Sequence, residues 1–114
     1  MKLGDVVSRL TIDNRKLIEY ALNPENPIGR HKALVLEQRL GFTKANSGQL
    51  RQQIENHALQ AEAFLQRTDQ YGQHYRVDLE VVGTMGQQGT LRTGWVLPPE
   101  SDTAQLVTVY VLRK

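Results

Sequence analysis

His31 and Lys32 are neighbours at the expected start of a helix, and their types suit chemistry on a phosphate. A histidine titrates near neutral pH and can move a proton. A lysine can neutralise the charge that builds on a pentacoordinate phosphate. The free N–H groups of a helix start favour an anion at the same place. Metal-free ribonuclease chemistry needs such a set: a base for the 2′-hydroxyl, an acid for the leaving oxygen and cations for the phosphate. On its own the pair is a signal of low specificity, since an exposed helix start often carries such residues.

A second group comes from strand alternation. With Tyr75, Val77, Leu79 and Val81, then Leu91, Thr93 and Trp95, then Val107, Val109 and Val111 on a buried face, the opposite face displays another set. It holds His74, Arg76, Asp78 and Glu80 from one strand, Arg92 from the next, and Thr108 and Tyr110 from the last. Arginine pairs with phosphate bidentately and aromatic rings stack on bases. The plainer alternative is a solvated face on which Arg76 and Arg92 pair with Asp78 and Glu80. The expected catalytic residues are His31, Lys32, Arg92 and Thr108. Lys32 and Arg92 hold phosphate, His31 or His74 moves protons, and Thr108 positions the reacting group. Arg30, His74, Arg76 and Tyr110 are expected to bind substrate. No cofactor is expected and no metal ligands are assigned, because the three histidines lack zinc-type spacing.

Several elements must position these residues. Asp13 suits a helix N-cap, and Leu17, Ile18, Ala21 and Leu22 follow at helical spacing until Asn23-Pro24 breaks the run. Val6 and Val7 fit either a short edge strand or a segment packed over the core. Two prolines stiffen the loop that leads into Gly29-Arg30-His31-Lys32. A second helix runs from about His31 to Leu40 and stops at Gly41, with Phe42 as the hydrophobic contact of that stop. A third carries the stripe Leu50, Ile54, Ala58 and Ala61, which Leu65 continues. From Tyr71 the period changes to two. One strand covers Tyr75–Val81, a glycine-rich hairpin follows, and Arg92–Leu97 and Gln105–Leu112 complete an antiparallel meander. The fold class is therefore α+β, with N-terminal helices (about 13–65) packed on one face of a C-terminal antiparallel β-meander (about 71–113), all in one domain.

Composition fits this outline. The chain has 114 residues, 39% hydrophobic, enough to bury about two-thirds of its unfolded surface without staples. It has no cysteine, which excludes disulfides and thiolate metal sites. Net charge is only +2. Arg30, Lys32, Arg39, Lys44 and Arg51 nonetheless cluster against Glu37 alone, a basic stretch that suits an anionic partner or a solvated helix surface. No apolar run reaches the length of a membrane span or a signal core. A cytoplasmic location is expected, or delivery as a domain of some other chain.

Three segments resemble a known family. They are Leu22-Asn23-Pro24-Glu25-Asn26-Pro27-Ile28-Gly29-Arg30-His31-Lys32-Ala33, Tyr71-Gly72-Gln73-His74-Tyr75, and Leu91-Arg92-Thr93-Gly94-Trp95 with Leu106-Val107-Thr108-Val109-Tyr110. They are similar to a bacterial domain-of-unknown-function family found as small stand-alone proteins and as C-terminal modules of polymorphic toxins. The likeness runs from about Leu17 onward. The matching positions are Gly29, Lys32, Gly72, Tyr75, Arg92, Trp95 and Thr108. Arg30 departs from the glycine common in toxin-associated members. The layout also resembles the barnase–EndoU–colicin–RelE ribonucleases, by fold analogy alone. These likenesses imply a toxin-like RNA-binding or metal-independent ribonuclease domain, with RNA and a small antitoxin or immunity protein as partners. The alternative is a non-enzymatic protein- or RNA-binding module, possible as one half of a two-gene pair. Convergence of His31, Lys32, Arg92 and Thr108 in one cleft favours the enzyme. Dispersal, with Arg92 absorbed by Asp78 or Glu80, favours binding.

Overall fold

Tyr75, Val77, Leu79 and Val81 alternate with polar residues, and this alternation becomes the long strand β3, Gly72–Val82. In the computed structural model, which describes residues 1–27 and 30–112, three further strands follow the helical region with it. They are β2 (Ala63–Asp69), β4 (Gln88–Leu97) and β5 (Thr103–Val111). These four are consecutive antiparallel neighbours, as a meander requires. The expected loop residue Gly29 lies outside the described residues.

One strand alters the expected sheet. β1, Arg9–Thr11, pairs parallel with β5, so the order is β1-β5-β4-β3-β2 and the sheet is mixed. Apart from a 3-10 turn at Leu3–Asp5, the chain passes through its described helices and three strands between β1 and β5. No short hairpin therefore forces them antiparallel. The fold is α+β: a five-stranded mixed sheet with a few helices.

The helical region also differs from expectation. Asp13 accepts the Arg15 N–H at 2.9 Å, as a helix start should. The next turn is π-helical over Lys16–Ala21, continued by the Leu22 N–H bond to the Leu17 carbonyl at 2.8 Å. This wider turn puts Leu17, Ala21 and Leu22 into the core and leaves Ile18 exposed. Helix α1, Arg30–Leu40, buries Val35, Leu36 and Leu40, and Phe42 is buried just beyond Gly41. Helix α2, Ser47–His57, buries Leu50 and Ile54. It ends sooner than its apolar stripe suggests. A short 3-10 turn, Ala58–Gln60, follows, and Leu65 belongs to β2 instead.

The buried sheet face carries the expected side chains of β3 and β4. On β5 one expectation fails. A bulge opposite Gly94 and Trp95 inserts Val107 as an extra residue, so that Val107 is exposed and Leu106 turns inward. Leu36, Leu40, Leu50, Ile54, Val77, Leu79, Leu91 and Trp95 share one core cluster. Within it the Trp95 indole N–H donates to Thr93 Oγ1 at 2.8 Å. The Thr93 hydroxyl donates to the Val77 carbonyl at 2.7 Å.

Candidate functional site

The less buried sheet face is built from cross-strand rows. Thr108, Gly94, Arg76 and Phe64 form one row across β5, β4, β3 and β2. Tyr110, Arg92 and Asp78 form the next. An open depression of about 320 Å³ spans Thr108, Gly94 and Arg76 of the first row and Tyr110 and Arg92 of the second. Arg67, His74, Arg76 and Arg92 line it together with Thr108 and Tyr110, and none of its lining residues is a carboxylate. Five of the eight residues singled out from sequence thus meet at one place: His74, Arg76, Arg92, Thr108 and Tyr110.

Gly94 gives this depression its depth. A Cβ built there would stand 2.5 Å from Thr108 Oγ1, so any side chain must displace Thr108 or fill the floor. The bulge at Val107 keeps Thr108 in register with Gly94 on this face.

His31 and Lys32 start α1 beside the end of β5. They line a neighbouring hollow of about 300 Å³ that also includes Tyr110. Lys32 Nζ sits 4.4 Å from the centroid of the Tyr110 ring, within cation–π range. Tyr110 therefore joins the helix start to the sheet face. Arg30, exposed at the first residue of α1, is not among the residues lining either hollow. The expected catalytic set is thus divided: Arg92 and Thr108 on the sheet face, His31 and Lys32 beyond Tyr110.

The charges are partly neutralised from within. Arg92 donates through Nε and Nη2 to the two oxygens of Asp78, at 3.0 and 3.2 Å. Asp78 raises the already high Arg92 pKa further, and Tyr110 adds to this, so Arg92 is a permanent cation. Arg76 lies over the Phe64 ring at 4.8 Å. Its Nε is 4.0 Å from Asp78 and, buried, has no hydrogen-bond partner among the described residues.

Asp69 and Phe64 are the residues that sequence reasoning missed. Asp69 ends β2 and holds the tight turn into β3: its Oδ1 accepts the Tyr71 N–H at 2.9 Å. Gly72 follows with a φ of +127°, and a side chain there would press into the Leu97 carbonyl. The same Asp69 oxygen lies 2.9 Å from His74 Nε2. That contact is the main reason the Asp69 carboxyl sits below its ordinary range. With its Nε2–H donated to Asp69, a neutral His74 ring keeps its basic lone pair on Nδ1. A signal for this pair existed in the sequence, an aspartate five residues ahead of a histidine across Tyr71-Gly72. It was hidden because Leu65 extends the helical stripe.

The described residues contain no group of three or more His, Asp or Glu placed to hold a metal ion. They also contain no helix long and apolar enough to cross a membrane.

The chain belongs to the family described as a domain of unknown function (DUF6883), whose model matches residues 2–113. Neither a curated protein nor a solved structure was found to match it.

Proposed function

We propose that this is an RNA-binding domain, and that RNA lies on the Arg76–Arg92 face of the sheet. The helices are read as covering the Trp95 face, which leaves the other face for a ligand. The observation that carries this reading is the lining of the depression, with three arginines, a histidine and two tyrosines but no carboxylate. Such a surface attracts phosphate, and guanidinium groups match phosphate geometry. The Asp78 clamp on Arg92 favours binding over catalysis by Arg92. Arg67 is itself bonded to Asp69 at 3.4 Å, which leaves Arg76 as the main phosphate contact. A small antitoxin or immunity protein would be the natural competitor for the same face if the domain acts as a toxin.

The His74–Asp69 pair supports a second reading, metal-independent RNA cleavage. Asp69 would hold the ring while His74 takes the 2′-hydroxyl proton; the 2′-oxygen bonds to phosphorus as the P–O5′ bond breaks, the leaving 5′-oxygen takes a proton from solvent water, and Arg76 would stabilise the phosphate. Of the two histidines expected to move protons, His31 and His74, this set uses His74. Cytoplasmic action would follow from an RNA substrate.

One experiment addresses both. A labelled RNA hairpin is titrated at about 50 and 200 mM salt, and the same samples are run on a denaturing gel in the presence of chelator. Salt-sensitive binding that Arg76→Ala weakens about tenfold supports the RNA-binding reading. Cleavage that His74→Ala and Asp69→Asn both abolish supports the nuclease. Absence of binding by the wild type refutes both.

A further inference from the structure

Resting on the RNA-binding reading, we infer that the ligand is single-stranded RNA, held by stacking of unpaired bases on Phe64 and Tyr110. Phe64 is 44% exposed on β2, the edge strand at that end of the sheet. Tyr110 is half-buried on β5, three strand spacings away, or about 14 Å. Tyr110 lines the depression and Phe64 stands on the strand beyond Arg76, with Arg76, Arg92 and the bare Gly94 on the two strands between the rings.

Each ring is paired with a cation. The Arg76 guanidinium lies 4.8 Å from the Phe64 centroid and the Lys32 ammonium 4.4 Å from that of Tyr110. A ring that stacks a base and a cation that meets the adjoining phosphate form one repeating unit, and the face carries two. Sheet-borne aromatics serve single strands because stacking needs the flat side of an unpaired base. A duplex hides those sides and would meet only the cations. Stacking is tolerant of sequence, so modest base preference is expected.

The test compares a labelled, unstructured RNA with the same sequence annealed to its complement, by fluorescence anisotropy at fixed salt. The single strand should bind at least about tenfold more tightly. Phe64→Ala and Tyr110→Ala should each weaken it about fivefold or more, and by a larger factor than they weaken duplex binding. Phe64→Trp and Tyr110→Phe keep a ring and should bind like the wild type. Phe64→Leu keeps apolar bulk without a π face and should behave like Phe64→Ala. Thermal melts identify any variant that fails to fold, and Phe64→Leu and Tyr110→Phe remain informative in that case. Duplex binding as tight as single-strand binding, with ring variants neutral, overturns this inference and leaves the RNA-binding reading standing. Absence of binding to either form overturns both.

Discussion

Asp78 faces Arg92 directly across β3 and β4 and accepts from two of its nitrogens, Nε and Nη2, at 3.0 and 3.2 Å. The same carboxylate stands 4.0 Å from Arg76 Nε. One acidic side chain therefore offsets two of the cations at the depression. It holds the Arg92 fork in place and at the same time weakens the face as an anion site.

Removing that charge should strengthen RNA binding. Asp78→Asn keeps the side-chain shape and frees Arg92 to pair with phosphate. Affinity at low salt should rise about fivefold, and the dependence on salt should steepen by roughly the slope of one further phosphate contact. Anisotropy titrations at several salt concentrations measure both. An affinity that falls would show that Asp78 positions Arg92 for the ligand.

Filling the floor should have the opposite effect. Gly94→Leu places a side chain where a Cβ would stand 2.5 Å from Thr108 Oγ1. Because Gly94 faces away from the core, the strand should survive while RNA affinity falls about tenfold, the loss of a few contacts. Circular dichroism and a thermal melt accompany the titration to separate blocking from unfolding.

These two side chains show what the sequence made legible. Alternation placed Arg76, Arg92, Thr108 and Tyr110 on one face, because a half-buried strand exposes every second residue whatever its neighbours do. Pairing of Arg92 with Asp78 was readable as an alternative for the same reason. β2 was not legible. It is an edge strand exposed on both faces after Ala63, so burial imposes no alternation, and Leu65 happened to prolong the stripe of α2. The bulge at Val107 was equally hidden, since every residue from Leu106 to Leu112 except Thr108 is apolar or aromatic and suits either face. Parallel pairing of β1 depends on a contact between the two ends of the chain, which no local pattern reports.

The core offers a stability test. Trp95 Nε1 donates to Thr93 Oγ1, whose own hydroxyl proton goes to the Val77 carbonyl. Thr93 is fully buried. Thr93→Val preserves shape but leaves the indole N–H unpaired, at a cost of about 1–3 kcal/mol. Adding Trp95→Phe removes the orphaned donor, so the double variant should lose less than the sum of the single changes. Urea unfolding of the four proteins gives the coupling.

Acid should weaken the β2–β3 turn through Asp69. Its carboxyl is held below the ordinary value of 3.8, chiefly by the His74 hydrogen bond, with Tyr71 and Arg67 also lowering it against a desolvation penalty. A depressed carboxylate binds fewer protons folded than unfolded, so stability rises with pH across that interval. Its contribution is complete above 3.8 and is lost as pH falls through the lower folded value. Urea midpoints followed downward from about pH 5 should fall more steeply for the wild type than for Asp69→Asn. Parallel curves would mean that Asp69 ionisation is not coupled to folding.

Backbone amide NMR during RNA titration tests the central claim most directly. Binding to the Arg76–Arg92 face should shift the amides of Arg76, Arg92, Gly94 and Thr108, with smaller changes at Lys32 and Phe64, and leave α2 still. Shifts centred on α2, or no shifts at RNA concentrations that saturate a salt-sensitive binder, would contradict it.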